Sequence, residues 1–247
     1  MDKFIKDLST IFSNPKYFEE FGSGIAETLY STVIATAAAF VLGLLLAVLL
    51  VVGDKGGVRP LPGPLMKLLN TIINVLRSVP FLILMLFILP LSKVIVGTTV
   101  GTPASIPPLI IAAAPFVARL VETTLRELDH GVLEAAQAMG ASPVQIVWKV
   151  MLPECLPSLI SGFTTAFITI LGYGAMAGAI GGGGLGKIAI NYGYNKYNTA
   201  VMLVATVLIV ILVQIAQSIG TRLSVRLDRR NRNQTGKSRK KGESDIL

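Results

Sequence analysis

Charged side chains, cysteine and histidine are all scarce in this chain of 247 residues. Only 15% of the residues are charged and 52% are hydrophobic, which excludes an ordinary soluble domain of this size. The single cysteine, Cys155, excludes an intramolecular disulfide, and no metal-ligand spacing surrounds it. The single histidine, His130, has no serine or acid at catalytic spacing, so a membrane hydrolase has little support. The composition predicts an integral membrane protein, and we expect no catalytic, metal or cofactor site.

Long uncharged runs agree with this class of protein. A helix needs roughly 20 mostly apolar residues to cross the hydrocarbon layer of a membrane. Three runs without any charge reach that length and each predicts one crossing: residues 28–52, 156–186 and 197–221. Two weaker candidates, which contain proline and charged residues, lie at about 70–91 and 106–125. We therefore predict an all-α integral membrane protein with five transmembrane helices.

Basic residues are concentrated on one side of the predicted spans. Of the 22 Lys and Arg residues, sixteen lie in the C-terminal tail and in the loops that share its side. Because the side richer in these residues faces the cytoplasm, we expect an external N-terminus and a cytoplasmic C-terminus. The tail is expected to fix topology and to contact anionic membrane lipid. Nucleic-acid binding is the less favoured alternative, since no aromatic residue interleaves with the bases.

The residues before the first apolar run form a segment of their own. Apolar side chains recur at helical spacing in residues 2–12, which predicts a short interfacial helix along the membrane. We see no cleavable signal, because the first apolar run begins only near Thr28 and is long enough to anchor. The predicted organisation is an external N-terminal segment (1–23), a transmembrane domain (24–220) and a basic cytoplasmic tail (221–247).

A short polar stretch between the third and fourth predicted spans begins with the signals of a helix. Asp129 can cap a helix over residues 132–139, and Gly140 stands where helices commonly end in a left-handed residue. The small side chains on this helix would let the surface of another protein approach its backbone: Ala135, Ala136 and Ala138. The alternative, that they pack the helix against its own bundle, is equally compatible with the sequence.

A second helix follows at once, and together the two form a hairpin. Ser142, Pro143 and Gln145 occupy the cap, first and third positions of a capping box. We predict that this second helix runs to Leu152 and that Pro153 ends it.

The spacing within the hairpin resembles the signature cytoplasmic loop of the membrane subunits of binding-protein-dependent ABC importers. Glu134-Ala-Ala is followed after three residues by Gly140, and after nine more by Val150 and Leu152-Pro153. In that family an isoleucine usually stands at the position of Val150. The resemblance implies that the hairpin is the coupling helix that seats in a groove of the ATPase subunit. It assigns that contact to the following residues: Glu134, Ala135, Ala136, Gly140, Leu152 and Pro153.

The resemblance extends over roughly residues 24–220 and is closest to the permeases of methionine importers. It is carried by the motifs at residues 77–81, 114–122, 140–147 and 183–186. It implies a type I ABC importer fold in a bacterial plasma (inner) membrane and a homodimer that encloses the path. It also implies two copies of an ATPase subunit and an extracytoplasmic binding protein, with D- or L-methionine carried by alternating access. Another polar amino acid or a small peptide is the alternative substrate, and a channel or scaffold without ATP is a more distant one.

One glycine-rich stretch nearly matches a phosphate-binding loop. Gly181 is followed after four residues by Gly186 and Lys187, but Ile188 stands where Ser or Thr should bind magnesium. The stretch also follows a predicted span rather than a strand. We therefore interpret it as an external turn that needs a flexible backbone.

Two groups of residues are candidates for the transport pathway or its gate. Arg119 and Glu122 are three apart on one helix face, where they can form a local ion pair or act in gating. The small-residue stretch at 173–178 either permits close helix packing or lines the path, with Gly174 and Met176 as the candidates. Ion-coupled carriers usually place charges near the membrane centre, and the three clearest spans have none. We therefore expect the energy for transport to arrive through a partner at the hairpin.

Overall fold

A computed structural model describes residues 7, 9–11 and 13–228, and the regular elements in this part of the chain are all helical. They are α1 (Pro15–Val52), α2 (Gly63–Ser78), α3 (Phe81–Val96), α4 (Thr102–Arg126), α5 (His130–Ala138), α6 (Pro143–Ile146), α7 (Leu152–Glu154), α8 (Leu156–Ala177), α9 (Gly184–Ile188) and α10 (Thr199–Leu227). Wide π-helical turns occupy Val147–Met151 and Ala189–Tyr194, and a 3₁₀ turn occupies Gly178–Ile180.

The first spanning helix begins earlier than its apolar run. α1 starts at Pro15 rather than near Thr28, because the Asn14 side chain accepts a hydrogen bond from the Lys16 backbone amide and proline suits the first helical position. Its 38 residues correspond to about 57 Å, well beyond the ~30 Å hydrocarbon core. The helix therefore runs without a break through the boundary expected at residue 23. Most of the predicted interfacial helix at 2–12, and the tail beyond 228, lie outside the described residues.

The second predicted span, at 70–91, is not one continuous helix. α2 and α3 meet at Val79 and Pro80 with a bend of 108°. Val79 has extended backbone (φ −80°, ψ 129°), as expected for a residue before proline, and Pro80 has no amide hydrogen to continue the ladder. Within the part of the chain that the structure describes, four helical stretches are long and apolar enough to cross a membrane: 15–52, 102–126, 156–194 and 199–227. Counting the bent pair as one broken span gives the predicted five.

Small residues let α1 and α4 pack closely at the centre of the bundle. A Cβ atom on Gly43 would lie 2.6 Å from Cγ1 of Val117, so only glycine fits this crossing. α8 packs on α1, where the rings of Phe40 and Phe163 meet edge to face with their centroids 5.1 Å apart. The buried core between these helices and the hairpin includes Ala35, Ala39, Ala47, Leu109, Ala113, Val121, Leu125, Ile146, Met151, Ala166 and Ile170.

The fourth predicted span, at 156–186, is also interrupted. α8 ends at Ala177, and the chain turns through glycines before α9 begins at Gly184. Gly181 and Gly184 have left-handed backbone, with φ of +94° and +75°. A Cβ on Gly178 would collide with the backbone of Gly186 and Lys187. The near-match to a phosphate-binding loop is thus a tight turn between helices, in agreement with our interpretation of it as a turn.

Candidate coupling hairpin and pathway

The first helix of the hairpin is built by its predicted cap and terminator. Asp129 Oδ1 accepts a hydrogen bond of 2.8 Å from the Gly131 amide, so the helix begins at His130, two residues before the predicted start. At its end Gly140 has φ +76°, and the Ala141 amide donates back to the Ala136 carbonyl at 3.1 Å. The predicted cap and the left-handed glycine are both confirmed.

The predicted capping box of the second helix is present. The Gln145 amide donates to Ser142 Oγ at 3.3 Å, and the Ser142 amide donates to Gln145 Oε1 at 2.8 Å. Together with Gly140 and Ala141, this box fixes the angle between the two helices of the hairpin. The hairpin tip is therefore held by local hydrogen bonds within a few residues.

The prediction that Pro153 ends the second helix is wrong. The π turn at Val147–Met151 widens the backbone, and the Leu152 amide donates to the carbonyl of Val147. This extra residue in the turn admits a proline that has no amide hydrogen of its own. The Cys155 amide then donates to Met151 at 3.0 Å. The hairpin consequently runs into α8 with no loop between them.

The residues assigned to partner contact do not all face outward. Glu134, Ala135, Gly140 and Pro153 are exposed, and Leu152 is half-buried. Ala136 is only 3% exposed and lies in the main core. Packing against the bundle is therefore the right explanation for Ala136, while the other positions are open to a partner.

Three large apolar side chains on the hairpin are more than 60% exposed and were not singled out from the sequence. Met139, Val144 and Trp148 are 81%, 67% and 65% exposed. Val144 and Trp148 are four residues apart on the second helix, on the side opposite the buried Ile146 and Val147. In the sequence, the spacing of Val144 and Trp148 and the presence of the chain's only tryptophan could have indicated this surface. Together Met139, Val144 and Trp148 form an apolar surface typical of a protein contact.

A cavity of about 460 Å³ flanks the hairpin, between its first helix and the loop after α1. Asp54 and Gly57 line it from the loop, and His130, Glu134 and Arg126 line it from the other side. His130 is the first residue of α5 and lies beside this cavity. The cavity places the hairpin and the end of α1 at the same end of the molecule.

Arg119 and Glu122 form the expected ion pair. Arg119 Nη1 lies 2.6 Å from Glu122 Oε2. The other terminal nitrogen of Arg119 donates to the Oδ1 atoms of Asn70 and Asn74 at 2.7 and 3.0 Å. Arg119 therefore ties α2, the first leg of the broken span, to α4.

The ion pair continues into a network at the hairpin end of α4. Arg126 Nε lies 3.0 Å from Glu122 Oε1, and Arg126 Nη2 lies 2.8 Å from Asp54 Oδ2. The hydrogen bond from Arg126, followed by one from the Lys55 backbone amide, lowers the pKa of Asp54 below its ordinary value. Glu122 is 6% exposed, and its buried carboxylate is paired with Arg119 and with the more exposed Arg126.

The small-residue stretch at the end of α8 divides into a packed part and an open part. Gly174 has no atom within 4 Å of where its Cβ would stand, whereas Gly178 is tightly enclosed. Met176 is 52% exposed, and the ring of Tyr173 stacks on Phe81 with centroids 4.1 Å apart. Close packing thus explains Gly178 and the buried Ala177, whereas Gly174 and Met176 remain available to line a path.

Comparison with known proteins gives a family that covers most of the chain. Residues 56–232 match the model described as "Binding-protein-dependent transport system inner membrane component". A probable D-methionine transport system permease protein MetI from Vibrio cholerae is 50% identical over 204 residues, which cover 83% of this chain and 90% of the relative. A protein of the same description from Pasteurella multocida is 45% identical over 216 residues, covering 87% and 99% of the two chains.

A solved structure has the same fold. A chain of the MetNI methionine ABC transporter in an inward-facing conformation superimposes with a TM-score of 0.85 at 44% identity. The match covers 87% of the present chain and 100% of the other. The helical arrangement is therefore that of a type I ABC importer permease.

Proposed function

The chain belongs to the family of binding-protein-dependent transport system inner membrane components, and from this we propose that it is the permease subunit of an ATP-driven importer of methionine. The observation that carries the proposal is the 50% identity to a methionine permease across 83% of the chain. The hairpin supports the same conclusion, because the family's motif lies on an exposed, locally fixed element of the bundle. D-methionine, L-methionine or both are the proposed substrates.

The partners follow from the source of energy. Uphill transport needs an energy input, and the three clearest spans carry no charge with which to couple an ion gradient. Two copies of a separate ABC ATPase would supply it at the hairpins of a permease homodimer, and an extracytoplasmic binding protein would deliver the substrate. A two-fold dimer is the economical arrangement, since five spans are few to enclose an amino acid. Membrane lipid surrounds the remaining apolar faces, and no nucleic acid is involved.

In this proposal the hairpin contacts the ATPase through two kinds of residue. Glu134, Ala135 and Gly140 are exposed. Glu134 offers a carboxylate, and the small size of Ala135 and Gly140 lets the ATPase approach the backbone of the hairpin closely. The apolar surface of Met139, Val144 and Trp148 supplies the area that is removed from water. Ala136 seats the hairpin in its own bundle, and Leu152 and Pro153 belong to the helical connection to α8.

In an alternating-access cycle, the hairpin would receive the movement of the ATPase subunits. Closure of the two ATPase subunits on ATP moves the hairpins, and because no loop intervenes, each hairpin carries α8 with it. The pathway swings toward the outside, receives substrate from the binding protein, and returns when ATP is hydrolysed. No bond is made or broken in the permease itself.

Orientation and the pathway residues complete the proposal. The hairpin and the C-terminus are placed in the cytoplasm and the N-terminus outside, on the distribution of Lys and Arg. Gly174 and Met176 are placed along the path, because a Cβ on Gly174 would meet open space and Met176 is 52% exposed. Arg119 and Glu122 are assigned to anchoring α2, since Arg119 pairs with Glu122 on α4 and donates to Asn70 on α2.

The test is uptake of labelled methionine in cells that lack their own methionine importer, supplied with this chain and its companion ATPase and binding protein. Gly140→Leu is expected to abolish uptake while the complex stays assembled. A Cβ there meets no neighbour within 4 Å, so the harm comes from left-handed backbone, about 1–2 kcal/mol, and from bulk facing the partner. Gly140→Asn, which tolerates that backbone, is the matched control for strain. Wild-type uptake by the leucine variant would refute the assignment of the hairpin.

The same assay separates the alternatives. An assembled complex that carries another polar amino acid or a small peptide, and not methionine, would keep the importer and change the substrate. Uptake that continues without the ATPase would favour a channel, and a complex that carries nothing would favour a scaffold.

A further inference from the structure

One carboxylate joins three separate segments of the chain. Glu27 lies on α1, and its Oε2 accepts a hydrogen bond of 2.7 Å from the Gly184 amide, at the start of α9. The same oxygen accepts a hydrogen bond of 2.8 Å from Thr102 Oγ1, at the start of α4. Glu27, Thr102 and Gly184 are here called the clamp. Charge-assisted hydrogen bonds of this length are the stronger class in proteins.

Neighbouring contacts hold the same three segments together. Thr28 Oγ1 accepts from the Leu185 amide at 2.9 Å, so a second side chain of α1 caps α9. The segment between α8 and α9, residues 178–183, is here called the glycine turn. The Gly101 amide donates to the Gly181 carbonyl at 2.8 Å, which ties this turn to the chain just before α4. Thr28 is buried, so this hydrogen bond lies away from water.

The glycine turn is shaped to fit the clamp. A Cβ on Gly183 would collide with both Thr102 Oγ1 and Glu27 Oε2. Gly184 has φ +75°, and a Cβ there would meet Thr28 Oγ1. Side chains at these two positions would therefore displace the hydrogen-bonding groups that join the turn to α1.

The clamp lies at the opposite end of the bundle from the hairpin. Along α1, the 27 residues from Glu27 to Asp54 correspond to roughly 40 Å, and Asp54 lies at the cavity beside the hairpin. The 22 residues of α8, roughly 33 Å, join the hairpin end to the glycine turn. The hairpin is therefore connected to one end of α8. The other end leads through the glycine turn to α9, which the clamp fixes to α1 and α4.

We propose that Glu27 is a positioning residue for transport: the clamp fixes the far end of α8, so that movement of the hairpin tilts α8 instead of being lost in the glycine turn. The inference rests on the proposed function as an ATP-driven permease. Without the clamp, hairpin movement and ATP hydrolysis continue, while less of the movement reaches the pathway. Glu27 contacts no substrate in this scheme and acts only through the position of α8.

The test measures ATP hydrolysed per methionine transported, in liposomes that contain the complete complex with its binding protein. Glu27→Ala is expected to raise this ratio about tenfold, the factor that corresponds to losing one hydrogen bond to a charged group. Glu27→Gln keeps an oxygen that can accept both hydrogen bonds and is expected to stay near the wild-type ratio. Glu19→Ala, which removes an exposed acid from the same helix, is the matched control for charge. A ratio for Glu27→Ala equal to that for Glu19→Ala would overturn the proposal.

Hydrogen exchange provides a readout that does not depend on transport. The Gly184 amide is expected to exchange faster in Glu27→Ala and not in Glu19→Ala, because only Glu27→Ala removes its acceptor. If Glu27→Ala does not assemble, Thr102→Val removes one hydrogen bond of the clamp at nearly constant volume and is expected to raise the ratio too. Unchanged exchange and an unchanged ratio in Thr102→Val would also overturn the proposal. If the wild-type complex carried no methionine, the proposed function would fail, while the exchange experiment would still test the clamp.

Discussion

Replacing Trp148 by alanine tests the hairpin most directly, because the change barely touches the permease itself. Trp148 is 65% exposed in the isolated subunit, and its hairpin is held by backbone and capping hydrogen bonds elsewhere. We therefore expect Trp148→Ala to fold, to insert into the membrane at the normal level and to keep its melting temperature. Its effect should be confined to the contact with the ATPase subunit.

The magnitude follows from the exposed area of the indole. Aromatic side chains bury about 150–250 Å² when fully covered, so 65% of that leaves roughly 100–160 Å² for a partner to cover. At about 25 cal/mol per Å², this area is worth about 2–4 kcal/mol as an upper bound. Alanine retains part of it, so we expect a loss of about 2 kcal/mol. That loss is about a thirtyfold weaker affinity for the ATPase subunit.

The assay is binding of the purified ATPase subunit to the permease in lipid nanodiscs, followed by methionine uptake with the same variants. Tyr194→Ala is the matched control, because Tyr194 is 71% exposed but is the last residue of the π turn after α9, at the clamp end. It should leave ATPase affinity unchanged. An affinity within threefold of wild type for Trp148→Ala would refute the assignment of the apolar surface to this contact.

Two further predictions concern the bundle. Glu122→Gln is expected to lower the melting temperature of the purified protein, because it weakens charge-assisted hydrogen bonds worth about 1–3 kcal/mol. Methionine uptake per folded molecule should be unchanged. Lower uptake at an unaltered melting temperature would instead favour a gate. Gly178→Ala is expected to abolish stable protein, because its Cβ would collide with backbone, whereas Gly174→Ala should accumulate normally. Equal amounts of the two variants in membrane immunoblots would contradict this packing.

The features that the sequence predicted correctly are local. The Asp129 cap, the left-handed Gly140 and the Ser142–Gln145 box each depend on a few adjacent residues, and all three are present. The three uncharged spans are likewise defined by composition over a single segment. Such features need no information from the rest of the chain.

The features that the sequence did not predict depend on context. Pro153 would end a regular helix, but a π turn just before it changes the register and lets the helix continue. The 108° bend at Pro80 interrupts a span that was predicted as one helix. Asn70 and Asn74 hold the first leg of that span by hydrogen bonds to Arg119, more than forty residues away. The bonds from Glu27 and Thr28 to α9 join residues 157 apart in sequence. No local pattern signals a contact at that separation.

The two ends of α8 constrain how a pathway between two permease copies can open. A displacement of about 5 Å at the hairpin end, close to one helical pitch, would rotate this roughly 33 Å helix by about 9° around a pivot at the glycine turn. Met176 lies beside that pivot and would move by less than about 1 Å, whereas residues near Leu156 would move by nearly the full distance. Tilting of α8 alone therefore opens the side of the path next to the hairpin. The clamp joins α1 and α4 to α9, which follows α8 through the glycine turn. Opening of the far side therefore requires α1, α4 and the α9 end of α8 to move together, so the clamp should remain intact through the whole cycle.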